Sequence, residues 1–220
     1  MKKTLLLAFL LLTTTAIAQQ DPEITWTLKR DRDGIQVFTR KVDGSPYDAV
    51  RAEMLVEKVR LSSMVALILD AEACSQWADR CSESYVHEHI SDTEQLIYTL
   101  NDLPFPVKDR DVMSRVTWSQ DPQTGTVSMH SQPAAGVIEE RKDALRLTDA
   151  KVSWHFQPEG QGVVRVINEA HVDPGSALPG WVTNMLLVDT PFETMKAFRE
   201  AVRDEKYAGA EIGCVKEPKE

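Results

Sequence analysis

The fold is decided near the end of the chain, where residues 179–204 read PGWVTNMLLVDTPFETMKAFREAVRD. Apolar residues recur in this stretch at spacings of three, four and seven, which is the pattern of one broad apolar helix face. The face comprises Trp181, Met185, Val188, Phe192, Met195 and Val202. Pro179 suits the first turn of such a helix, and Pro191 predicts a kink or a break near Thr190. A helix with so wide an apolar face must pack against another apolar surface.

The chain before this helix is predicted to supply that surface as an antiparallel sheet, because its segments alternate between apolar and polar residues. The predicted strands comprise residues 26–30, 35–42, 49–57, 84–90, 95–100, 111–119, 126–131, 152–157 and 163–172, with a turn at 158–160. A helix is predicted over residues 61–77, and residues 136–148 fit either a strand pair or a loop. The final helix then packs across the concave face of a curled sheet. The space between them is either a filled core or a ligand cavity.

The N-terminus has the three parts of a secretory signal peptide. Lys2 and Lys3 are followed by the apolar run Leu5–Leu12 and by the small-residue pattern Ala16-Ile17-Ala18. We therefore expect cleavage after Ala18, a mature domain over residues 19–210 with a polar tail over 211–220, and a periplasmic or secreted location. The alternative is an N-terminal helix that stays attached as an anchor.

The net charge of the chain limits the classes of molecule that it is expected to bind. The formal net charge is −9, and loss of the two lysines of the leader changes it to −11. An acidic body argues against nucleic acid as a partner and against docking on anionic lipid headgroups. Any contact with a membrane must therefore be transient, apolar and local.

Three cysteines are present in a chain that we expect to be exported. Cys74 and Cys81 are close enough in sequence to close a small loop, and a disulfide forms readily in an oxidising compartment. Cys214 is then left unpaired. No Cys-x-x-Cys motif is present, so a zinc site or a thioredoxin-type site is not indicated.

Three segments give the chain a family resemblance. Residues 67–70 and 76–79 read LILD and QWAD, residues 106–112 read PVKDRDV, and residues 174–184 read PGSALPGWVTN. In this order and spacing they resemble the START family, the steroidogenic acute regulatory protein-related lipid transfer domains. The likeness spans about residues 60–200.

The resemblance implies an α+β helix-grip fold and a lipid or sterol binder. Its internal tunnel would be closed by the C-terminal helix and by the loop before Arg110 and Asp111. Several sterol-binding relatives carry a cavity-facing arginine at the position that is Val116 here. Arg115 falls on the same strand face as Asp111 by alternation. No cavity arginine is therefore carried over, and the class of ligand stays open.

The expected ligand contacts follow from the helix stripe and from the strand that begins with the Arg-Asp motif. They comprise Trp181, Met185, Val188, Phe192, Met195, Val116 and Trp118. An apolar stripe is usually plain core, and only the resemblance favours a cavity wall. Two methionines would suit a pocket that adapts to a flexible ligand.

A gate is expected in the apolar, proline-bordered loop formed by Leu103, Phe105 and Val107. Loops are ordinarily polar and exposed. Phe105 therefore either tucks back onto the core or serves as a gate or a membrane-contacting foot.

Other polar residues have structural interpretations. Asp109 and Asp111 could form an acid/base pair, but ion pairs of Arg110 and Asp111 at the start of a strand fit better. His87 and His89 share a strand face without a third ligand at recognisable spacing. No catalytic residue, metal or cofactor is assigned.

We expect the protein to bind a lipid-like molecule without catalysing a reaction on it. Transfer of that molecule is a further expectation. A cyclase or aromatase on the same fold, or an interaction module with a closed cavity, are the alternatives.

Overall fold

A computed structural model of the protein describes residues 25–218. Its strands are β1 (Thr27–Arg32), β2 (Ile35–Arg40), β3 (Ala49–Glu57), β4 (Cys81–Ser91), β5 (Glu94–Asn101), β6 (Asp109–Gln120), β7 (Val127–Pro133), β8 (Ala144–Arg146), β9 (Ala150–Gly160) and β10 (Val163–Val172). Its helices are α1 (Leu61–Leu69), α2 (Cys74–Trp77), α3 (Gly180–Asn184), α4 (Thr190–Ala201) and α5 (Glu205–Ala208), with a 3₁₀ turn at Ala71–Ala73 and a π-helical turn at Met185–Asp189.

The strands form one curved sheet in the order β1-β2-β3-β10-β9-β7-β6-β5-β4. All neighbours along this path are antiparallel, whereas the short β8 pairs with β6 in parallel. Together with the C-terminal helix this is the helix-grip fold, so the predicted fold class is confirmed. The hairpin between β1 and β2 turns on Asp33 and Gly34, whose φ angles of 55° and 73° suit a tight two-residue turn.

The main core lies between the concave face of the sheet and α4. Phe192, Met195 and Phe198 of α4 are each 0 % exposed. The ring of Phe198 stacks 5.0 Å from that of Trp154 and meets Trp77 edge-on at 5.6 Å. Burying one such side chain stabilises the fold by about 1.5–3 kcal/mol, so this aromatic cluster fixes α4 on the sheet.

The C-terminal helix is interrupted before Pro191, as the sequence predicts. Proline has no N–H to offer the carbonyl of Leu187 and its ring crowds the preceding turn. The chain passes this point as the π-helical turn Met185–Asp189, between α3 and α4. Such turns commonly appear where a helix is locally distorted.

The single helix predicted over residues 61–77 is wrong in detail, because it breaks at Asp70. The backbone of Asp70 is not helical, with φ −77° and ψ 73°. Its carboxylate accepts a hydrogen bond from the Tyr207 hydroxyl at 2.7 Å and another from Lys206. The break therefore lets the α1 region attach to α5.

The turn between the last two strands differs from prediction, whereas residues 136–148 adopt one of the two expected alternatives, a loop. Strand β9 continues through Gly160, and the turn to β10 falls on Gln161 and Gly162. Residues 136–148 form a loop that contains the short β8. This loop covers a second, smaller core on the outer face of the sheet, formed by Leu96, Tyr98, Leu100, Met113 and Ala144.

The segment after α5, predicted as a polar tail over residues 211–220, contacts the domain in its described part. Ile212 and Val215 pack on the main core. The Glu217 carboxylate accepts hydrogen bonds from the backbone N–H groups of Leu61 and Ser62, at 3.0 and 2.9 Å. These are orphan donors at the start of α1, where Arg60 supplies no side-chain cap.

A disulfide joins Cys74 to Cys81 as predicted, and Cys214 is unpaired. The predicted leader lies outside the described residues. Within residues 25–218 no helix is long and apolar enough to cross a membrane.

Glu217→Ala should lower the free energy of unfolding by about 1 kcal/mol, because two N–H groups of α1 lose their acceptor. Urea titration followed by circular dichroism measures this. Glu211→Ala, at an exposed position, is the matched control and should unfold like the wild type. Equal midpoints for the two variants would show that the remote cap contributes nothing.

Candidate functional site

The candidate site is a cavity of about 340 Å³ between the first half of the C-terminal helix and one end of the sheet. Ligand sites for small molecules usually measure about 300–1,000 Å³, so this one is at the small end. Most of its wall is apolar. The apolar side chains that matter below are Val50, Leu103, Leu147, Leu178, Leu186 and Leu187. Its polar residues include Tyr47, Asn101, Arg110 and Thr183.

The loop before α3 closes one side of the cavity and depends on a glycine. Gly175 has a φ of +75°, and a Cβ there would lie 2.5 Å from Cδ2 of Leu145. The Asp173 carboxylate accepts a hydrogen bond from the Gly175 N–H at 2.8 Å. Glycine adopts this φ without strain, and any larger residue would also force the Leu145 side chain to shift. This gives the Pro-Gly pair of the third motif its physical reason.

Arg110 and Asp111 point to opposite faces of β6 and make different interactions. On the outer face Asp111 is 0 % exposed and accepts two hydrogen bonds from Arg146, at 2.9 and 2.8 Å. The Tyr98 hydroxyl donates a third at 3.3 Å. The predicted structural ion pair is therefore present for Asp111, with Arg146 as its partner.

Arg110 makes no such pair with any carboxylate of residues 25–218. Its guanidinium donates to the Pro174 carbonyl at 3.1 Å, to the Ser176 hydroxyl at 2.9 Å, and to the Lys108 carbonyl. These bonds connect β6 to both loops that border the cavity. Burial lowers the pKa of Arg110, and the nearby charge of Asp109 offsets this only in part.

The carboxylates considered as an acid/base pair have structural partners. Asp109 accepts a hydrogen bond from the backbone N–H of Leu103 at 2.9 Å, which orders the start of the predicted gate loop. Asp111 is occupied by Arg146. His87 and His89 are exposed on β4. None of these side chains lines the cavity.

None of the seven residues predicted to contact a ligand lines this cavity. Val116, Trp118, Phe192 and Met195 are buried in the main core. Val188 is buried, Met185 is half-buried, and Trp181 is 55 % exposed. Of the gate residues, Leu103 lines the cavity, Val107 is half-buried and Phe105 is 94 % exposed. Phe105 therefore does not tuck back onto the core. The role of these residues in binding stays a prediction.

Helical periodicity missed Leu186 and Leu187, because it assumes about 3.6 residues per turn along the whole helix. Both residues belong to the π-helical turn, whose wider winding rotates the faces on either side of it relative to each other. Pro191 is the sequence signal that the regular helical period would be interrupted just before it. Tyr47, in a loop, and Asn101, at the end of β5, carry no sequence pattern that marks them.

A second concavity lies on the outer face of the sheet and measures about 510 Å³. Its wall is mixed and includes the polar side chains of Arg40, Lys151 and His171. The sheet separates it from the C-terminal helix. The inner cavity is smaller, but its wall is mostly apolar. Of the two concavities, it is the one bordered by the C-terminal helix and by the loops that contain the sequence motifs.

The family model of the START domain matches residues 18–207 of this chain. The chain belongs to the START domain family. The resemblance seen in the sequence is thereby confirmed, and the three motifs have physical roles. Trp77 of the first motif enters the aromatic cluster, and the Asp79 carboxylate accepts a hydrogen bond from Thr190 of α4 at 2.8 Å. The other two motifs form the walls around Arg110.

Several known proteins are similar over most of the chain. The uncharacterized protein PA1579 of Pseudomonas aeruginosa is 32 % identical over 176 residues, which cover 80 % of this chain and 86 % of that protein. The crystal structure of a STAR-related lipid transfer protein from Xanthomonas axonopodis superposes with a TM-score of 0.74 at 32 % identity, over 81 % of this chain and 99 % of that one. Human STARD10, at 21 % identity and a TM-score of 0.71, shares the fold over 82 % of this chain and 74 % of its own.

Leu186→Trp should reduce binding of Nile red, a neutral apolar dye, because the indole fills cavity space next to the helix. Its unfolding midpoint in urea should stay close to that of the wild type. Met195→Trp is the matched control in the packed core, where overpacking should lower the free energy of unfolding by about 1–3 kcal/mol. If the two variants lose stability equally, Leu186 belongs to the packed core and does not border an open cavity.

Proposed function

We propose that the protein binds one lipid-like molecule in the inner cavity and carries it without changing it chemically. The observation that carries the proposal is an apolar cavity of about 340 Å³ beneath the C-terminal helix of a START domain. A relative of the same family, at 32 % identity, bears the name lipid transfer protein. A cavity of this size also argues against an interaction module whose interior is packed solid.

The energetic case is simple. Each CH₂ group buried from water contributes about 0.8 kcal/mol, so exposing a sixteen-carbon chain costs on the order of 12 kcal/mol by the same figure. Unassisted crossing of an aqueous space is then very slow. An apolar cavity whose wall includes a helix and two loops removes most of that barrier. The modest volume favours a ligand with one chain.

The chemistry of the wall favours binding over catalysis. Among the described residues that line the cavity there is no histidine and no cysteine, and the one carboxylate, Asp48, is paired with Lys41 at 2.8 Å. A cyclase or aromatase would need a titratable group free to move a proton. This wall offers mainly apolar contacts and hydrogen-bond donors, and beside its cations and Asp48 its one titratable side chain is Tyr47.

Exposed aromatic side chains flank the cavity and suggest how a ligand enters. Phe105 is 94 % exposed and Trp181 is 55 % exposed, on the two segments that Arg110 ties together. Exposed aromatic residues of this kind insert readily at a membrane–water interface. We therefore assign transient membrane contact to this end of the molecule. Together with the signal-like leader, this supports a carrier in the periplasm or outside the cell.

Native mass spectrometry tests the proposal on protein purified from the cells that make it. The expected result is a fraction of molecules that carry one additional mass in the lipid range. Protein that is empty, and that takes up no cis-parinaric acid (an intrinsically fluorescent fatty acid) from vesicles, would contradict the proposal.

Phe105→Asp should slow the transfer of cis-parinaric acid from phosphatidylcholine vesicles several-fold, because a charged loop tip resists entering the bilayer. The equilibrium affinity should change little, since Phe105 does not line the cavity. Stopped-flow fluorescence separates the two quantities. Leu55→Asp, at a 50 % exposed apolar position on β3, is the control and should leave the rate unchanged. Equal rates for both variants would remove Phe105 from the transfer step.

A further inference from the structure

Arg110 is a buried cation in the wall of an apolar cavity. The residue is 4 % exposed, it lines the cavity, and no carboxylate oxygen of residues 25–218 lies within ion-pair distance of its guanidinium. The adjacent Asp111 cannot serve, because it points to the other face of β6 and is occupied by Arg146. Burying an ionised group without an opposite charge is unfavourable.

The hydrogen bonds of Arg110 satisfy some of its N–H donors but do not neutralise its charge. All three acceptors, on Lys108, Pro174 and Ser176, are uncharged oxygens. A guanidinium carries five N–H groups, so two remain available. The other cation of the wall, Lys41, is neutralised by Asp48 at 2.8 Å. The guanidinium of Arg110 therefore has no ion-pair partner among residues 25–218, and Asp109 lies near it without a direct contact, in a protein of net charge −9.

Two more polar side chains share this part of the wall. Asn101 lies directly opposite Arg110 in the β5–β6 pairing, so both side chains face the same side of the sheet. Tyr47 lines the same cavity as Arg110. Neither the Asn101 amide nor the Tyr47 hydroxyl has a hydrogen-bond partner among the other described residues, and both residues line the cavity. Arg110, Asn101 and Tyr47 thus supply hydrogen-bond donors to the same cavity.

We propose that Arg110, with Asn101 and Tyr47, binds the anionic head of a single-chain amphiphile, a carboxylate or a phosphate monoester. The apolar chain of the ligand lies against Leu103, Leu178, Leu186 and Leu187. The inference rests on the proposed function and narrows it to an acidic lipid. A planar guanidinium is well suited to such oxyanions, because it offers two parallel donors and keeps its charge when buried.

The test compares four ligands that share a twelve-carbon chain and differ in the head: dodecanoate, dodecyl phosphate, dodecanol and dodecyltrimethylammonium. Each displaces Nile red from the full mature chain at pH 8, where the carboxylate is ionised. At least one anion should bind about tenfold or more tightly than the alcohol, as expected for hydrogen bonds to a charged group. The cation should bind most weakly. The comparison of dodecanoate with dodecyl phosphate identifies which oxyanion the site prefers.

Variants locate the effect. Arg110→Gln should abolish the preference for the anion and retain binding of dodecanol, whereas Arg110→Lys should keep part of the preference. Ser176→Ala is the matched control, because it removes one of the bonds of Arg110 to the loop and leaves the charge in place, so the preference should persist. If Arg110→Gln does not fold, the double variant Asn101→Ala/Tyr47→Phe decides, and it should reduce the preference without disturbing the loop contacts.

The outcomes separate this inference from the proposed function. Equal binding of anion and alcohol by the wild type overturns the inference and leaves lipid binding intact. A preference that survives Arg110→Gln, or in its place the double variant, also overturns it. Failure of all four ligands to displace the dye overturns both.

Discussion

The structure depends on the packing of α4 against the concave face of the sheet. Phe198 lies between Trp77, Trp154 and Phe156, and Phe192 and Met195 are fully buried beside it. This contact holds the second half of the C-terminal helix in place. The first half, from Gly180 to Asp189, lies beyond the packed cluster and borders the cavity. One helix is thus a core element at one end and a cavity wall at the other, and the π-helical turn marks the boundary.

Strand alternation gives β6 two different polar roles. Asp111 faces outward, where Arg146 and Tyr98 satisfy it completely within the smaller core. Arg110 faces inward and binds only uncharged oxygens. A two-residue motif therefore stabilises the outside of the sheet with one side chain and keeps a charge available inside with the other. The same guanidinium holds both loops at the cavity, which links the site to the segments that would have to move for a ligand to enter.

Local patterns in the sequence predicted more of the fold than of the candidate site. The bounds of β3 and β10, the disruption at Pro191 and the Cys74–Cys81 pair all follow from nearby residues. Periodicity cannot foresee the cap of α1 by Glu217, since the two are joined only by the tertiary fold. Nor can it identify Leu186 and Leu187, whose direction is set by a change of helical winding. The cavity is a product of those non-local effects, so the residues around it were the least predictable.

The position of β10 in the sheet has a consequence for how the molecule is made. This late strand lies between β3 and β9, and Met54 pairs across to Val166. Contacts between residues so far apart in the chain form slowly, because a long loop must close first. A chain that emerges N-terminus first therefore exposes the open edges of β3 and β9 until residues 163–172 arrive, and such edges are prone to aggregation. The cavity also needs α3, which follows β10, so its wall is complete only after Gly180–Asn184 have joined the fold.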